Sequence, residues 1–497
     1  MKKIIYTGFI VMFAVLFGSC EMNYYPSDQI EQSQSFKSVS DMSNWINGMY
    51  QKLRAVTYGN YTQATDIQTD LFNATSSFGN RLGSMHGWTQ LTASDYDIQD
   101  TWAGYYSLIA NANNIIDNYH LITPKDTEME TFNRCIGEAY FMRAYAYAHL
   151  VNRYAKAYNA STASSDLGVP LNLTYDIEAK LPRSSIADVY ANIFKDLGET
   201  ENAWKKADFS DVQKYKKAPC KFTPDAIAAL KARLYLNMEK WTDAIAEAEK
   251  IINAGDYPLS TTQEAFEALW ASDTGSEILM HLYIASDEAP NSNSSYLTVY
   301  DPKTGFYTPD YLPEQWVYDL YDDADIRKSV YFHDFPLRLA TGNFDDVYSL
   351  NKFPLTTEFN ASGNFWHAPV IFRTAELYLI VAEAGARGNN SELALQRLNE
   401  LRESRGLAPL SGLSGEALFE EVKKERVREM IGEGTRLSDL KRWNMGFTRT
   451  APQNMNTVTA SFIDLSVPAG DSKFVWGIPS HDINLNPNLK EQQNPGW

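Results

Sequence analysis

Apolar residues recur at helical spacing through much of the chain, and this pattern predicts a series of amphipathic helices. The first begins at Asp41 and a second covers about residues 100–120, and both carry large apolar side chains on one side. A third helix, at 136–158, is rich in alanine and tyrosine, a composition that suits close contact between helices. The sequence therefore predicts a mostly α fold.

Two later segments each combine two helical patterns around a short turn. In residues 224–252, small and large residues follow the spacing of a tetratricopeptide repeat at Ala232, Tyr235, Trp241, Ala244 and Ala248. Residues 376–402 follow the same spacing more loosely at Ala382, Gly388, Ala394, Leu398 and Leu401. We therefore expect a helical-repeat scaffold made of several helix–turn–helix pairs.

The helical pattern is interrupted in the middle of the chain. Residues 256–372 are rich in aromatic residues, proline, asparagine, serine and aspartate, and show helical period only near 313–321. A short strand is predicted at 277–284, and a second loop of similar composition covers 66–96. Binding residues are disproportionately found in loops held by a rigid scaffold, so we expect the ligand site in these two segments.

The first residues have the layout of a signal peptide. Lys2 and Lys3 precede an apolar run at 4–17, whose 14 residues are fewer than the roughly 20 that a membrane-spanning helix needs. The run leads to the sequence FGSC, which resembles a bacterial lipobox and predicts acylation of Cys20. Residues 21–37 are polar and are predicted to tether the fold to a lipid anchor.

Charge and cysteine content exclude several classes of protein. The 44 basic and 62 acidic residues give a net charge of −18, which becomes −20 when Lys2 and Lys3 leave with a signal peptide. Such acidity argues against nucleic acid or anionic lipid as electrostatic partners. Three cysteines are too few for a disulfide framework or a structural zinc site, and the sequence does not tell whether Cys135 and Cys220 pair.

A segment near the C-terminus, residues 421–443, alternates acidic and basic residues in two helical patterns around Gly434. Glu425, Arg426, Arg428 and Glu429 fall within one helical turn and a half, where residues three and four apart are neighbours. Arginine makes planar two-point contacts with carboxylates, so the segment is predicted to clamp the scaffold. The alternative is an ordinary solvated helix face, and spacing does not decide between the two.

The string ERVRE…GEGTRLSDLKRW in this segment resembles the C-terminal signature of the SusD/RagB family of outer-membrane nutrient-binding lipoproteins. Three further stretches agree with the family in the same order, at 136–158, 372–384 and 474–497. Met430 and Ile431 depart from the usual pattern but keep its apolar character. The resemblance covers essentially the whole predicted mature chain.

The resemblance implies a tetratricopeptide-like scaffold with a packed loop-rich, partly β region. The predicted divisions are a signal peptide at 1–19, a lipidated tether at 20–37 and a single SusD-like domain at 38–497, with the scaffold mainly at 38–255 and 372–443 and the loop-rich ligand region mainly at 256–371. The implied location is the outer membrane, where a lipid anchor holds the protein on the cell surface.

The resemblance also implies a function, which is to bind an oligosaccharide and deliver it to a SusC-like TonB-dependent transporter. A peptide-binding lid of the RagB type is the alternative. An extracellular hydrolase is a third hypothesis, but the sequence lacks HExxH, GxSxG, P-loop and GxGxxG motifs, so we expect neither an enzyme nor a cofactor.

The sequence also gives no sign of a metal site, because the seven histidines form no pair at the spacing of metal ligands. The acidic run before Arg327 is expected to start a helix rather than to bind a metal.

A glycan site needs flat aromatic rings and a few planar polar groups, because sugars have apolar C–H faces and hydroxyl edges. The aromatic candidates are Trp88, Tyr296, Tyr300, Phe306, Tyr307 and Trp366. The polar candidates are Asp66, Asp70, Asn73, Arg81 and Arg373. Among the aromatic candidates, Trp88 is the preferred platform. Among the polar candidates, Arg373 is ambiguous, because it could equally be a structural partner of Glu376 or of Asp66. Trp270 and Trp316 have helical spacing and are expected in the core.

Overall fold

The computed structural model describes residues 36–57, 59–209, 220–284, 297–354, 367–461 and 463–497. The predicted signal peptide, acylation at Cys20, most of the tether, and the candidate ligand residues Tyr296 and Trp366 lie outside these ranges.

Most of the regular structure in the described ranges is helical, as predicted. In chain order, the helices are α1 (Val39–Val56), α2 (Asn60–Ile67), α3 (Gly83–Gly87), α4 (Tyr96–Asn118), α5 (Met129–Tyr154), α6 (Ile186–Trp204), α7 (Pro224–Asn237), α8 (Trp241–Ala254), α9 (Gln263–Ala271), α10 (Gln315–Asp319), α11 (Ile326–Tyr331), α12 (Thr374–Arg387), α13 (Ser391–Ser404), α14 (Gly415–Met430), α15 (Arg436–Trp443) and α16 (Ser480–Leu485).

The strands are short. They are β1 (Phe72–Ala74), β2 (Ile278–His281), β3 (Tyr300–Asp301), β4 (Phe306–Tyr307), β5 (Tyr311–Pro313), β6 (Phe332–His333), β7 (Leu337–Leu339), β8 (Gly342–Phe344), β9 (Ser349–Leu350), β10 (Val370–Arg373), β11 (Phe447–Thr448) and β12 (Ser466–Val467). One sheet has four strands in the order β3–β4–β7–β8, and the pairs β1–β5, β2–β10, β6–β9 and β11–β12 form two-stranded sheets. Only the β4–β7 pairing is parallel among these strands.

Local sequence explains where several helices start. Ser38 and Asp41 form a capping box at α1, in which each side chain accepts a hydrogen bond from the other residue's backbone N–H. Asp325 caps α11 by accepting from the N–H of Arg327, and its carboxylate also pairs with that residue's guanidinium at 2.7 Å. The prediction that this acidic run starts a helix is therefore confirmed.

The two predicted helix–turn–helix pairs are α7–α8 and α12–α13. Ala232, Ala244 and Ala248 are fully buried between helices, as small residues at a close crossing must be. Helix α8 also packs against α12, which packs in turn against α14. A Cβ atom at Gly388 would lie only 2.7 Å from Cβ of Trp241, so the turn of the second pair needs glycine where it meets the first.

The signature segment is buried rather than solvated, which confirms the clamp. Glu429 on α14 accepts hydrogen bonds from the guanidinium groups of Arg327, Arg373 and Arg405, with N–O distances between 2.5 and 3.1 Å. Burial alone would raise the pKa of Glu429, but the positive charges of Arg405, Arg373 and Arg327 outweigh burial and hold this pKa well below its usual value. We call Glu429 and these three arginines the buried clamp.

Candidate functional site

The two loops expected to carry the site meet around Asp310. Its carboxylate accepts hydrogen bonds from Nε of Arg81 at 2.5 Å and from the backbone N–H of Gly79 at 3.2 Å. Strand β1, from the first loop, pairs with β5 from the second. The polar candidate Arg81 therefore lies at the β1–β5 pair, whereas the aromatic candidates Tyr300, Phe306 and Tyr307 belong to the separate four-stranded sheet, and Tyr307 precedes Asp310 by three residues.

One face of the four-stranded sheet covers a small apolar core. Tyr300 and Tyr307 are cross-strand neighbours whose ring centroids are 4.7 Å apart, and Tyr307 stacks on Phe335 at 4.0 Å. Leu337 and Leu339 are buried on this side, and Tyr307 packs against the same cluster. The two tyrosines thus support the sheet and remain only partly exposed.

The opposite face points outward, because side chains alternate along a strand. Asp301 pairs with Phe306, and Arg338 pairs with Asn343, so these four residues lie on the face away from Leu337. The guanidinium carbon of Arg338 lies 4.0 Å from the ring centroid of Phe306. We call Asp301, Phe306, Arg338 and Asn343 the Phe306 face.

Hydrogen bonds hold the Asp301 carboxylate and the turn next to Arg338 and Asn343 in place. The Asp301 carboxylate accepts hydrogen bonds at 2.9 Å from the Lys303 N–H and the Thr304 hydroxyl, and these bonds lower the pKa of Asp301 below its ordinary value. The β7–β8 turn is fixed to the first loop, where Ala340 N–H donates to Ser77 Oγ at 2.7 Å. The Arg338 guanidinium lies over the Phe306 ring, so a sugar that stacks on this ring takes the place of that exposed side chain, and the guanidinium, the Asp301 carboxylate and the Asn343 amide can then bind its hydroxyls.

Trp88, the preferred platform, lies in the core instead. It is 5% exposed, its indole N–H donates to the carbonyl oxygen of Gln68 at 2.5 Å, and its ring packs edge-on against Phe447 and Phe474. No ring face is therefore open to a ligand. The expectation for Trp270 is confirmed, since it is buried, whereas Trp316 is partly buried and donates to the Asp70 carbonyl.

Three of the polar candidates, Asp66, Asp70 and Arg373, contact the signature segment. The carboxylate of Asp66 accepts hydrogen bonds from the backbone N–H groups of Gly432, Gly434 and Arg436 at 2.9–3.0 Å. Gly434 has φ +72°, in the left-handed region expected for it, and its position is crowded by the Thr62 carbonyl. Asp70 forms a two-point ion pair with Arg436 at 2.8–2.9 Å.

The ambiguity of Arg373 is also removed. Its guanidinium contacts Glu429 and Glu433, not the predicted partners Glu376 or Asp66, and it is buried. Asn73 is buried in β1 as well. A polar residue in a predicted loop can contact either a ligand or another part of the protein. The same types of side chain serve both roles, so the sequence does not distinguish them.

Sequence reasoning missed Asp301, Arg338 and Asn343. The alternation Leu337–Arg338–Leu339 is the signal that points to an outward arginine on a short strand.

Cys135 and Cys220 are both free thiols. The described residues contain no group of three or more histidine, cysteine, aspartate or glutamate side chains placed to hold a metal ion. Among the described helices, we find none that combines the length and the apolar character needed to cross a membrane.

Two family models match the chain. One, described as "Starch-binding associating with outer membrane", matches residues 26–236, and the other, described as "SusD family", matches residues 336–497. Between them they cover most of the chain.

Relatives and solved structures agree with these matches. The chain is 24% identical to SusD-like protein P38 of Formosa agariphila, over 99% of this chain and 98% of the relative. Its fold is similar to that of a SusD superfamily protein from Bacteroides thetaiotaomicron, with 25% identity, a TM-score of 0.76 and coverage of 92% and 100% of the two chains. A SusD-like carbohydrate binding protein from Bacteroides vulgatus gives 22% identity, a TM-score of 0.74 and coverage of 92% and 98%. The chain therefore belongs to the SusD-like family.

Proposed function

We propose that this protein binds oligosaccharides on the Phe306 face and releases them unchanged. The observation that carries the proposal is the partly exposed ring of Phe306, with the Arg338 guanidinium over it and Asp301 and Asn343 on the same face of the sheet. The family description names starch binding, and a structural relative is named as a carbohydrate binding protein, which supports the same ligand class.

A ligand that must be passed on should be held weakly. The Phe306 face is shallow and partly exposed, so a bound sugar loses only part of its hydration and keeps one side in water. We expect a dissociation constant in the micromolar range or weaker, about −8 kcal/mol or less negative. Binding of this strength suits exchange with a second protein rather than storage.

We also propose an outer-membrane location, with acyl chains on Cys20 and delivery of the ligand to a SusC-like TonB-dependent transporter. The signal-peptide pattern before Cys20 supports the anchor, and the family description refers to association with the outer membrane. Mass spectrometry of the mature protein tests the anchor directly, because an unmodified Cys20 would contradict it.

Calorimetric titration of the purified protein against a panel of neutral oligosaccharides tests the site. We expect Phe306→Ala to weaken binding at least about tenfold, because stacking on the ring is lost, which is a change of about 1.4 kcal/mol. Tyr96→Ala is the matched control, since this ring is 82% exposed at the start of α4, outside the Phe306 face.

Three outcomes would change the proposal. Equal affinities of the wild type and Phe306→Ala would exclude the Phe306 face. Binding of peptides but not of glycans would favour the peptide-binding alternative. New reducing ends after incubation with a glycan would show turnover and would support a hydrolase.

A further inference from the structure

A second space, separate from the Phe306 face, lies among the helices of the scaffold. This cavity of about 180 Å³ is lined by residues of α2, α4, α5, α7, α12, α14 and α15. Gln63, Arg153 and Arg426 are among its lining residues, together with the aromatic rings of Tyr61 and Tyr105. We call this space, defined by those five residues, the polar chamber.

The carboxylates that line the polar chamber already have cationic partners. Glu376 pairs with Arg233, with N–O distances of 2.5–2.7 Å. Glu433 accepts from Arg373 and from the ammonium group of Lys352. Asp439 pairs with Arg426 at 2.5 Å and with Arg442 at 3.0 Å. Their negative charges are therefore balanced locally.

Arg153 differs from the other arginines of the chamber, because its partners are all neutral. It contacts His149 Nδ1 at 2.8 Å and donates to the Tyr61 carbonyl at 3.1 Å, and its guanidinium lies 5.8 Å from the ring centroids of Tyr105 and Trp476. Burial, and then the charges of Arg153 and Arg233, hold the pKa of His149 well below its usual value, so this ring is uncharged. No carboxylate in the described part of the chain pairs with Arg153.

Several buried polar atoms in the chamber also lack hydrogen-bond partners. Gln63 is only 2% exposed, and neither its amide nitrogen nor its amide oxygen has a partner among the described residues. The same holds for Nη1 of Arg426, which is 5% exposed, and for Nε of Arg153. Leaving such groups unpaired costs about 1–3 kcal/mol each, so a polar occupant that pairs with them, whether water or a ligand, stabilises the chamber.

We propose that the polar chamber binds a small oxyanion, with Arg153 as its counter-charge. Nε of Arg153, Nη1 of Arg426 and the amide N–H groups of Gln63 supply donors for carboxylate or phosphate oxygens. The Gln63 amide oxygen can accept from a hydroxyl, and the rings of Tyr61 and Tyr105 can contact C–H groups. This combination fits the carboxylate end of an acidic sugar, and free inorganic phosphate shares its oxyanion chemistry.

Thermal unfolding of the purified full-length protein in detergent tests the proposal. The probes are sodium glucuronate, sodium phosphate and glucose, compared at constant ionic strength. A ligand that binds only the folded state raises Tm with its concentration, so glucuronate or phosphate is expected to raise Tm and glucose is not. A response to glucuronate identifies an acidic sugar as the ligand, whereas a response to phosphate alone identifies the free ion.

Two variants distinguish the chamber from general salt effects. Arg153→Met removes the charge but keeps most of the apolar stem, and Gln63→Leu removes the amide at similar volume. Each is expected to weaken the anion response at least about tenfold. Arg397→Gln is the control, because it removes an arginine that pairs with Glu249 and Glu400 and does not line the chamber. If Arg153→Met does not fold, Gln63→Leu alone decides.

The absence of any anion-dependent Tm shift in the wild type would overturn the proposal, and so would equal shifts in the wild type and a folded chamber variant. The result is independent of the Phe306 face, because binding of neutral oligosaccharide is measured separately with Phe306→Ala.

Discussion

The buried clamp and the Phe306 face use the same kinds of side chain in opposite surroundings. In the clamp, Glu429 and Arg405 have side chains that are fully buried and paired. On the Phe306 face, Asp301 and Arg338 are exposed to water, where ion pairs contribute about 0–1 kcal/mol. Arginine and carboxylate therefore hold the scaffold together inside the protein, whereas outside it they remain available for a ligand.

Among the variants that test this comparison, the largest loss of folding stability is expected for a substitution in the buried clamp. Glu429→Gln keeps the shape of the side chain but removes the charge that three buried arginines share. Removing one partner of a buried pair costs about 3–5 kcal/mol, because the remaining charges lose their compensation. Urea unfolding measures this loss of stability.

Glu421→Gln is the matched control on the same helix. Glu421 pairs with Lys424, whose side chain is 48% exposed, so the change should cost less than about 1 kcal/mol. Similar unfolding free energies for the two variants would show that burial does not set the strength of these pairs.

Trp88 and Phe306 allow the same comparison between a buried and a partly exposed side chain for aromatic residues. Trp88→Ala should destabilise the protein by about 3–5 kcal/mol, because a buried ring and its hydrogen bond are lost. Phe306→Ala should cost about 1 kcal/mol or less, since the ring is only partly buried. Thermal unfolding compares the two, and a Phe306→Ala protein less stable than Trp88→Ala would assign Phe306 to the core.

The helical pairs were predictable because their signal is local, since alanine spacing in α7 and α8 is complete within a few turns of helix. Charge spacing in α14 left the clamp undecided, because Arg327, Arg373 and Arg405 lie outside that helix. The burial of Trp88 was not predictable in the same way, because Phe447 and Phe474, which cover it, lie more than 350 residues further along the chain. The Phe306 face was missed in part because two-residue strands such as β3 and β4 are too short to show an alternating pattern.

Two carboxylates with pKa shifts of opposite sign, the buried Asp66 and the exposed Asp301, should give pH dependences of stability that are opposite in sign. Burial raises the pKa of Asp66 to about 6 from 3.8, although three backbone N–H donors oppose the shift. The folded protein therefore holds the proton more tightly, and the contribution of Asp66 to stability falls by about 1–3 kcal/mol as pH rises from about 4 to about 6. Asp66→Asn should remove this slope in urea unfolding.

Asp301 provides the opposite case. Its pKa is lowered in the folded protein, so its contribution is present above the unfolded pKa and is lost as pH falls through the folded value. Asp301→Asn should therefore change the free energy of unfolding only at pH values near and below the unfolded pKa of this carboxyl group.

For Asp66→Asn, an unfolding free energy that changes between pH 4 and 6 as it does in the wild type would contradict a raised pKa for Asp66.

The contact between Asp66 and the signature turn has a consequence for synthesis of the protein. The Asp66 side chain and the N–H of Gly432 are separated by 366 residues. Contacts of such long range form late, because a large loop must close before they are made. Helix α2 therefore gains these partners only after the chain has been synthesised as far as Arg436, which lies 370 residues after Asp66.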